Sequence, residues 1–351
     1  MKSAFSGDSS NLDLVRAAAV LCVFSAHFTD TVFTIFGTQS TVEETTWHFG
    51  QIGVLMFFVH TSFVLMLSME RQIEHAGSFF RDFYIRRAFR IYPLSMFCVS
   101  LAFLVNANVP LGQTHWPWPV YLANMSLTEN LFYMSDMVAS LWTLPLEVQM
   151  YFLLPFLFLA TRARPVWFVL ALWLAAVVLG TSEPYFTQRL GVLEFAPCFV
   201  AGVVAWRLSR SATRLLPGSI WPLAFLSVWP IFFSVSRHYP GEHLFWSRWV
   251  FCIALGLTIP WFRDMRLGWL NSAAHNLAKY SYGIYLSHGA LLGLAFSVPV
   301  AMPIQILILA IGMTIVPFVL FHLVEQPMIE VGRKVIARQN ANNAAAVVAL
   351  R

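Results

Sequence analysis

Two polar residues interrupt the first apolar stretch of the chain, LVRAAAVLCVFSAHF at residues 14–28. Arg16 stands near its start, and His27 follows eleven positions later. In a helix, eleven residues turn through about 1100°, so both side chains lie on one face about 16 Å apart along the axis. Imidazole titrates near neutral pH and can accept a proton from a hydroxyl group. The pair is therefore typical of acid–base chemistry, or of a topology anchor combined with an interhelical hydrogen bond.

Charged residues elsewhere suggest where ligands could bind. Asp13 precedes Arg16 by three positions, which suits a pair on one helix. Arg86, Arg87 and Arg90 crowd one end of a later apolar stretch. The guanidinium group is a planar fork of donors that suits phosphate. These three arginines therefore predict an anion site, with positive-inside anchoring or contact with lipid headgroups as the alternative.

Further polar side chains lie inside apolar stretches. Glu147, in LWTLPLEVQMYFLLP, is costly at that depth unless it is paired or protonated, and Trp142 suits the membrane interface. Glu147 could form a structural pair, orient His27 or bind an acceptor hydroxyl. Tyr282, Tyr285 and His288 form a loosely aligned polar face, and His60 is a second intramembrane histidine. These four residues could contact substrate or form structural hydrogen bonds. We expect His322 and Glu325 to pair structurally.

The composition defines the class of protein that must position these residues. Of 351 residues, 58% are hydrophobic and only 11% are charged. A water-soluble domain carries about 25% charged residues, so the chain is predicted to be a membrane protein that crosses the bilayer many times. The basic excess follows membrane topology, so nucleic acid is not an expected partner. The four cysteines lie in apolar stretches without the spacing of metal ligands, and we expect packing thiols and no metal.

Ten stretches are long and apolar enough to span a bilayer, which takes about 20 residues. They are 14–36, 50–69, 89–108, 142–160, 166–181, 191–208, 219–235, 244–261, 280–298 and 303–323. The more polar segment 117–134 is predicted to be interfacial or re-entrant. We expect one membrane domain at 1–338 and a disordered cytoplasmic tail at 339–351.

The distribution of charge predicts the orientation. With both termini in the cytoplasm, only Arg189, Arg237 and Arg248 among the Lys and Arg residues fall on the outer side. The acidic residues Asp30, Glu43, Glu44, Glu129 and Asp136 fall at the outer end of the first span and in the first two outer loops. The sequence thus predicts an all-α polytopic membrane protein with about ten transmembrane helices and both termini cytoplasmic.

The motifs resemble those of the acyltransferase 3 family of integral membrane acyltransferases. LDLVRAAAVLCVFSAHF resembles its opening motif, in which ten residues separate an Arg and a His, although Leu14 replaces a usual Gly. GVLMFFVHTSF (53–63) resembles the second-helix motif but lacks its usual acidic residue at Leu55. FYIRRAFRIYPL (83–94) matches the arginine-rich entry to the third helix. LWTLPLEVQMYFLLP (141–155) keeps Trp142, Glu147 and Tyr151 of a later motif, and YSYGIYLSH (280–288) and VEQP (324–327) match the closing motifs.

This resemblance implies transfer of an acyl group, most simply acetyl, from cytosolic acyl-CoA to a hydroxyl of an extracytoplasmic carbohydrate or glycolipid. It implies His27 as general base, with Arg16 and Glu147 in the catalytic group, and no bound cofactor because acyl-CoA is a co-substrate. The phosphates of the donor would meet Arg86, Arg87 and Arg90; Asp13, Trp142, Tyr151 and the polar face could contact substrate. Membrane lipids and the bacterial cytoplasmic membrane are the expected surroundings.

Several alternatives remain open at the level of sequence. The acyl group could pass directly to the acceptor or through an acyl-histidine. The acceptor could be a small molecule, or the group succinyl. A transporter or flippase of a lipid-linked glycan is the other class, but the paired, broken half-segments typical of such proteins are not found. The sequence makes no prediction of the oligomeric state.

Overall fold

The computed structural model describes residues 9–37, 41–73, 78–107, 116–186, 190–211, 215–238 and 244–349. The described residues are 87% helical and contain no β-strand. These features confirm the predicted all-α class. The four cysteines, Cys22, Cys98, Cys198 and Cys252, are free thiols, as expected.

The helices follow one another with short connections. In chain order they are α1 (Ser10–Phe36), α2 (Thr41–Gln72), α3 (Phe79–Ala107), α4 (Trp118–Ser126), α5 (Thr143–Thr161), α6 (Val166–Phe186), α7 (Gly191–Ser209), α8 (Trp221–Ser227), α9 (Trp229–His238), α10 (Leu244–Thr258), α11 (Gly268–Ser297), α12 (Met302–Leu320) and α13 (Gln326–Ala349). A single π-helical turn, Phe321–Glu325, joins α12 to α13.

Eight helical segments in the described ranges are long and apolar enough to cross a membrane. Two of the ten predicted stretches, on the 15-residue α10 and on α11, are not among those eight, and the stretch 219–235 is divided between α8 and α9. The count of ten and the cytoplasmic position of both termini therefore stay predictions. The segment 117–134 contains α4, whose nine residues are too short to cross the hydrocarbon core.

Some boundaries differ from the predicted ones. Helix α3 begins at Phe79 rather than at residue 89, and α11 begins at Gly268 rather than at residue 280. Both helices extend into polar sequence beyond their apolar stretch, which a measure of hydropathy alone does not detect. The segment 339–349, for which the sequence predicted disorder, is helical in α13, whereas residues 350 and 351 lie outside the described residues.

The chain forms two compact units. Unit 1 comprises Met1–Ser68 and Phe156–Ser281, and unit 2 comprises Met69–Pro155 and Tyr282–Arg351. The single membrane domain at 1–338 stays a prediction.

Aromatic side chains fill the core of unit 1. Phe58 on α2 stacks on Phe199 of α7, with ring centroids 4.4 Å apart. Phe158 lies 5.3 Å from the ring of Trp206, and Trp249 donates from Nε1 to the backbone oxygen of Glu194 at 2.8 Å. Burial of such large rings contributes strongly to helix packing.

Close packing with α2 positions α1. A Cβ added at Gly53 would lie 2.6 Å from the backbone oxygen of Ala19, so only glycine allows this approach of the two helices. Helix α1 ends at Gly37, whose φ of 64° lies in the left-handed region that caps helices and favours glycine. The first helix is therefore fixed both along its side and at its end.

In unit 2, α13 packs along α3. A Cβ at Gly332 would lie 2.9 Å from the Cβ of Phe89. Nearer the end of α13, Asn340 donates to Oδ2 of the buried Asp82 at 3.2 Å. These contacts fix α13 along the arginine-rich part of α3.

A buried asparagine holds the segment between α4 and α5. Asn124 donates from Nδ2 to the backbone oxygens of Val120 at 2.8 Å and of Ser135 at 3.0 Å. Its Oδ1 accepts from the backbone N–H of Met137 at 2.9 Å. One side chain thus connects the short helix α4 to the loop that leads into α5.

Candidate active site

In unit 1, a hydrogen bond between helices orients Arg16. Its Nε donates to Oγ of Ser281 at 2.6 Å, and Ser281 is fully buried on α11. The hydroxyl in turn donates to the backbone oxygen of Ala278 at 2.8 Å. The guanidinium group is therefore held by a neutral partner at this nitrogen, and the contact leaves its positive charge in place.

His27 lies on the same helix three turns further on and is half-buried. Its ring meets that of Trp47 edge to face at 6.3 Å. The carboxylate of Asp30, one turn later, lies within electrostatic range of the imidazole. A carboxylate near an imidazole can select its tautomer and stabilise the charge that forms when it accepts a proton.

Two more predicted residues lie near the Arg16 end of α1. His60 is buried on α2 and lies within electrostatic range of Arg16. Asp13, expected beside Arg16, places Oδ2 3.0 Å from Nδ1 of His275 on α11. Asp13, Arg16 and His60 thus belong to unit 1, where Asp13 and Arg16 contact the part of α11 that ends at Ser281.

In unit 2, Glu147 and Tyr151 form one side-chain pair on α5. The Tyr151 hydroxyl donates to Oε2 of Glu147, four residues earlier on the same helix. The positive charge of Arg87 on α3 interacts electrostatically with both groups. Glu147 is therefore stabilised within unit 2 by a phenol and a guanidinium group, whereas His27 belongs to unit 1.

The polar face of α11 is tied mainly to backbone and hydroxyl partners. Tyr282 donates to the backbone oxygen of Ile91 at 2.8 Å, and the hydroxyls of Tyr285 and Thr143 lie 2.7 Å apart. Nδ1 of His288 lies 2.7 Å from the backbone oxygen of Tyr285. Trp142, at the entrance to α5, is 38% exposed, consistent with an interfacial position.

The three arginines predicted to bind phosphate have different partners. Arg86 bonds to the neutral amide of Gln72, and Arg87 interacts with the Glu147 and Tyr151 pair. Arg90 forms an ion pair with the buried carboxylate of Glu325, and the expected pairing of Glu325 with His322 stays a prediction. The hydrogen-bond partner of Arg86 is neutral and the carboxylate of Asp82 lies only within electrostatic range, whereas Arg90 contacts a carboxylate directly.

Sequence reasoning missed three of these partners. Asp30 was read only as a topology signal, although its position three residues after His27 places it on a neighbouring face. Ser281 and Gln72 could not be found from helical spacing, because they approach Arg16 and Arg86 from other helices. A serine between two tyrosines in YSYGIYLSH was the one available hint for the former.

The described residues include an imidazole that could act as a base, but no group that could hold a metal ion. No group of three or more His, Cys, Asp and Glu side chains among the described residues could hold a metal ion. What the described residues offer is a half-buried imidazole with a carboxylate nearby, together with arginine side chains that suit anionic ligands. That combination suits proton transfer and group transfer inside an apolar helical protein.

A helical membrane protein that carries an imidazole and arginine side chains in its helices is suited to acyl transfer. The acyltransferase 3 family model, described as an acyltransferase domain, matches residues 9–322. The match covers most of the 351 residues, so the chain belongs to the acyltransferase 3 family and is a membrane acyltransferase. Neither a curated protein nor a solved structure matches the chain.

Proposed function

We propose that this acyltransferase transfers an acetyl group from cytosolic acetyl-CoA to a hydroxyl of an extracytoplasmic or lipid-linked carbohydrate, in the bacterial cytoplasmic membrane. The observation that carries the proposal is His27, a half-buried imidazole with Asp30 in electrostatic range, on a helix whose Arg16 is fixed by Ser281. A carboxylate within range of the imidazole and an anchored helix support a role for His27 as the base.

In the proposed reaction, His27 accepts the proton of the acceptor hydroxyl while its oxygen attacks the thioester carbonyl carbon. The carbon–sulfur bond breaks, the acetyl ester forms, and the CoA thiolate leaves and takes a proton from the imidazolium. Asp30 stabilises the positive imidazolium during this step, and Arg16 holds the cytoplasmic end of α1. Transfer through an acetyl-histidine gives the same balance in two steps.

For the donor, Arg86 is the leading phosphate contact among the three arginines. Its partner is the neutral Gln72, whereas Arg90 is paired with Glu325. A phosphate can replace an amide partner at lower cost than it can displace a buried carboxylate. Arg87 supports the Glu147 and Tyr151 pair, which we place on the acceptor side of the reaction.

The test uses inside-out vesicles containing the full chain, given acetyl-labelled acetyl-CoA, with label measured in extracted glycan. Because general-base catalysis supplies about 10²- to 10⁴-fold, His27→Asn should lower kcat by at least about a hundredfold. His48→Asn, which removes a half-buried imidazole outside the site, should leave kcat nearly unchanged. Absence of label in glycan from wild-type vesicles, or an active His27→Asn variant, contradicts the proposal.

The same assay tests the donor contact. Arg86→Gln should raise KM for acetyl-CoA about tenfold, as expected for one lost charged hydrogen bond. It should leave KM for acetyl-pantetheine unchanged, since that donor lacks the nucleotide phosphates. Arg81→Gln, which removes an arginine held by Asp82 on the same helix, is the matched control. An equal effect on both donors would assign Arg86 a structural role.

A further inference from the structure

A buried carboxyl group in unit 2 has no hydrogen-bond partner in any other described residue. Glu129 begins the short helical turn Glu129–Leu131 between α4 and α5, and it is 1% exposed. Neither of its two carboxyl oxygens has a partner in the part of the chain that the structure describes. A buried polar group without a partner costs about 1–3 kcal/mol, so such a group calls for an explanation.

Asn130, the next residue along the chain, forms an incomplete amide pair with Gln149 of α5. Gln149 donates from Nε2 to Oδ1 of Asn130 at 3.0 Å. Among the described residues, Nδ2 of Asn130 has no acceptor and Oε1 of Gln149 has no donor, and both atoms are buried. Because Glu129 and Asn130 are chain neighbours, the unsatisfied atoms belong to one short turn and the facing part of α5.

The type of missing partner follows from the groups left unsatisfied. Burial, with the nearby charge of Asp136, raises the pKa of Glu129 from 4.5 to about 8. At neutral pH this carboxyl therefore holds its proton and offers one donor and one acceptor. With Asn130 and Gln149 the cluster offers two unpaired donor atoms and two unpaired acceptor atoms without net charge. That set matches two neighbouring hydroxyl groups, each of which donates one hydrogen bond and accepts another.

We propose that Glu129, Asn130 and Gln149 form a binding site for two adjacent hydroxyl groups of the carbohydrate acceptor. The proposal deepens the proposed function and rests on it for the class of ligand. The three residues are distinct from the Glu147, Tyr151 and Arg87 cluster, because Gln149 follows Glu147 by two positions and projects from a different side of α5. The site therefore selects the acceptor, whereas proton transfer remains with His27.

Binding can be measured without turnover. Full-length protein in nanodiscs, without acyl-CoA, is mixed with methyl α-D-mannopyranoside, and contact is read by saturation-transfer NMR. Methyl 2,3,4,6-tetra-O-methyl-α-D-mannopyranoside, which has no hydroxyl donors, is the ligand control. We expect saturation transfer to the first sugar and none to the second.

Two substitutions at position 129 separate hydrogen bonding from shape. Glu129→Gln keeps one donor and one acceptor, so its signal should stay within about threefold of the wild type. Glu129→Leu fills similar volume without polar atoms and should lower the signal at least about tenfold. Gln149→Met, which removes the unsatisfied acceptor on α5, should also lower it. Glu330→Gln changes an exposed carboxyl and should have no effect.

The alternatives predict other results. If the cluster only holds buried water, no variant changes the sugar signal or the wild type gives none, and the proposal is overturned. If it is a cation site, Ca²⁺ raises the melting temperature of the wild type but not of Glu129→Gln, which also overturns it. Sugar binding with no labelled glycan in the vesicle assay would reject acyl transfer to carbohydrate while keeping the binding site.

Discussion

At the scale of single residues, the attraction of Arg16 for anions depends on the groups that contact its guanidinium. A hydroxyl, that of Ser281, accepts from its Nε, and the buried His60 lies within range of its charge. An arginine oriented by a neutral group keeps its attraction for anions, whereas one beside a carboxylate loses much of it. Arg90 is an arginine of the second kind, since it is paired with Glu325.

The titration of Glu129 gives a prediction about pH. Its pKa in the folded protein is about 8, compared with 4.5 for the free group, so the folded state retains the proton over this interval. The stabilisation is fully present below pH 4.5 and is lost as the pH rises through about 8. Between about pH 6.5 and about pH 9, the melting temperature of the wild type should therefore fall relative to that of Glu129→Gln.

The chosen interval separates Glu129 from its neighbour. Burial raises the pKa of Asp136 from 3.8 to about 6, so this group has largely titrated before the interval begins. Tyr92 also lies within electrostatic range of Glu129, and it is present in both proteins. The limiting slope is about 1.4 kcal/mol per pH unit. Parallel melting curves for the two proteins would show that Glu129 is ionised in the folded state throughout.

Helical spacing predicts relations within one helix and little beyond it. The common face of Arg16 and His27 follows from their separation, and so does the pair of Glu147 and Tyr151, four residues apart. Arg90 and Glu325 are 235 positions apart, and no periodicity in the sequence connects them. The candidate site was thus predictable as a set of residues, but its cross-helix partners depend on packing.

At the scale of helices, close contact between α1 and α2 sets the position of His27. The position of Gly53 against the Ala19 backbone leaves no space for a side chain. Gly53→Ala should therefore force the helices apart and destabilise the protein by about 1–3 kcal/mol, as overpacking does. A lower melting temperature in detergent, together with reduced transfer activity, would show both effects.

Gly289 on α11 provides the matched control. A Cβ added there meets nothing within 4 Å. Alanine favours a helix over glycine by up to about 1 kcal/mol, so Gly289→Ala should leave the melting temperature unchanged or raise it. A similar loss of stability at both positions would mean that α1 and α2 do not constrain each other in this way.

The sequence predicted which stretches are helical better than where the helices begin. Apolar runs of about 20 residues identify spans because the bilayer core requires that length. The polar starts of α3 and α11 are fixed instead by side-chain contacts, such as the ion pair of Arg81 with Asp82 and the contact of His275 with Asp13. Such contacts involve chemistry that an apolar pattern does not record.

At the scale of the whole molecule, the asymmetry of charge predicts how the chain crosses the membrane. Ser135 and Ser211 are both exposed, and the predicted topology puts the first outside and the second in the cytoplasm. In a chain without native cysteines, Ser135→Cys should react with an impermeant maleimide in intact cells. Ser211→Cys should react only after lysis. The opposite pattern of labelling would invert the orientation and the assignment of the donor side.

The family match extends across both compact units. It runs from residue 9 to residue 322, and so includes α1 with His27 in unit 1 and α3 and α5 with Arg87 and Glu147 in unit 2. The resemblance found in six short motifs is therefore confirmed at the level of the family. The donor, the acceptor and the role of each side chain belong to the proposals, since a family model describes a shared domain.

A deletion in the π-helical turn Phe321–Glu325 would change the register of the helix that follows it. A π-helical turn has one residue more per turn than the α-helical turns on either side of it. Loss of a single residue there would let α12 and α13 join as one regular helix, turning everything beyond by about 100°. Three contacts would then be lost at once: Glu325 with Arg90, Gly332 with Phe89, and Asn340 with Asp82. Substitutions in this turn alter one contact each, whereas a deletion changes the whole register of α13.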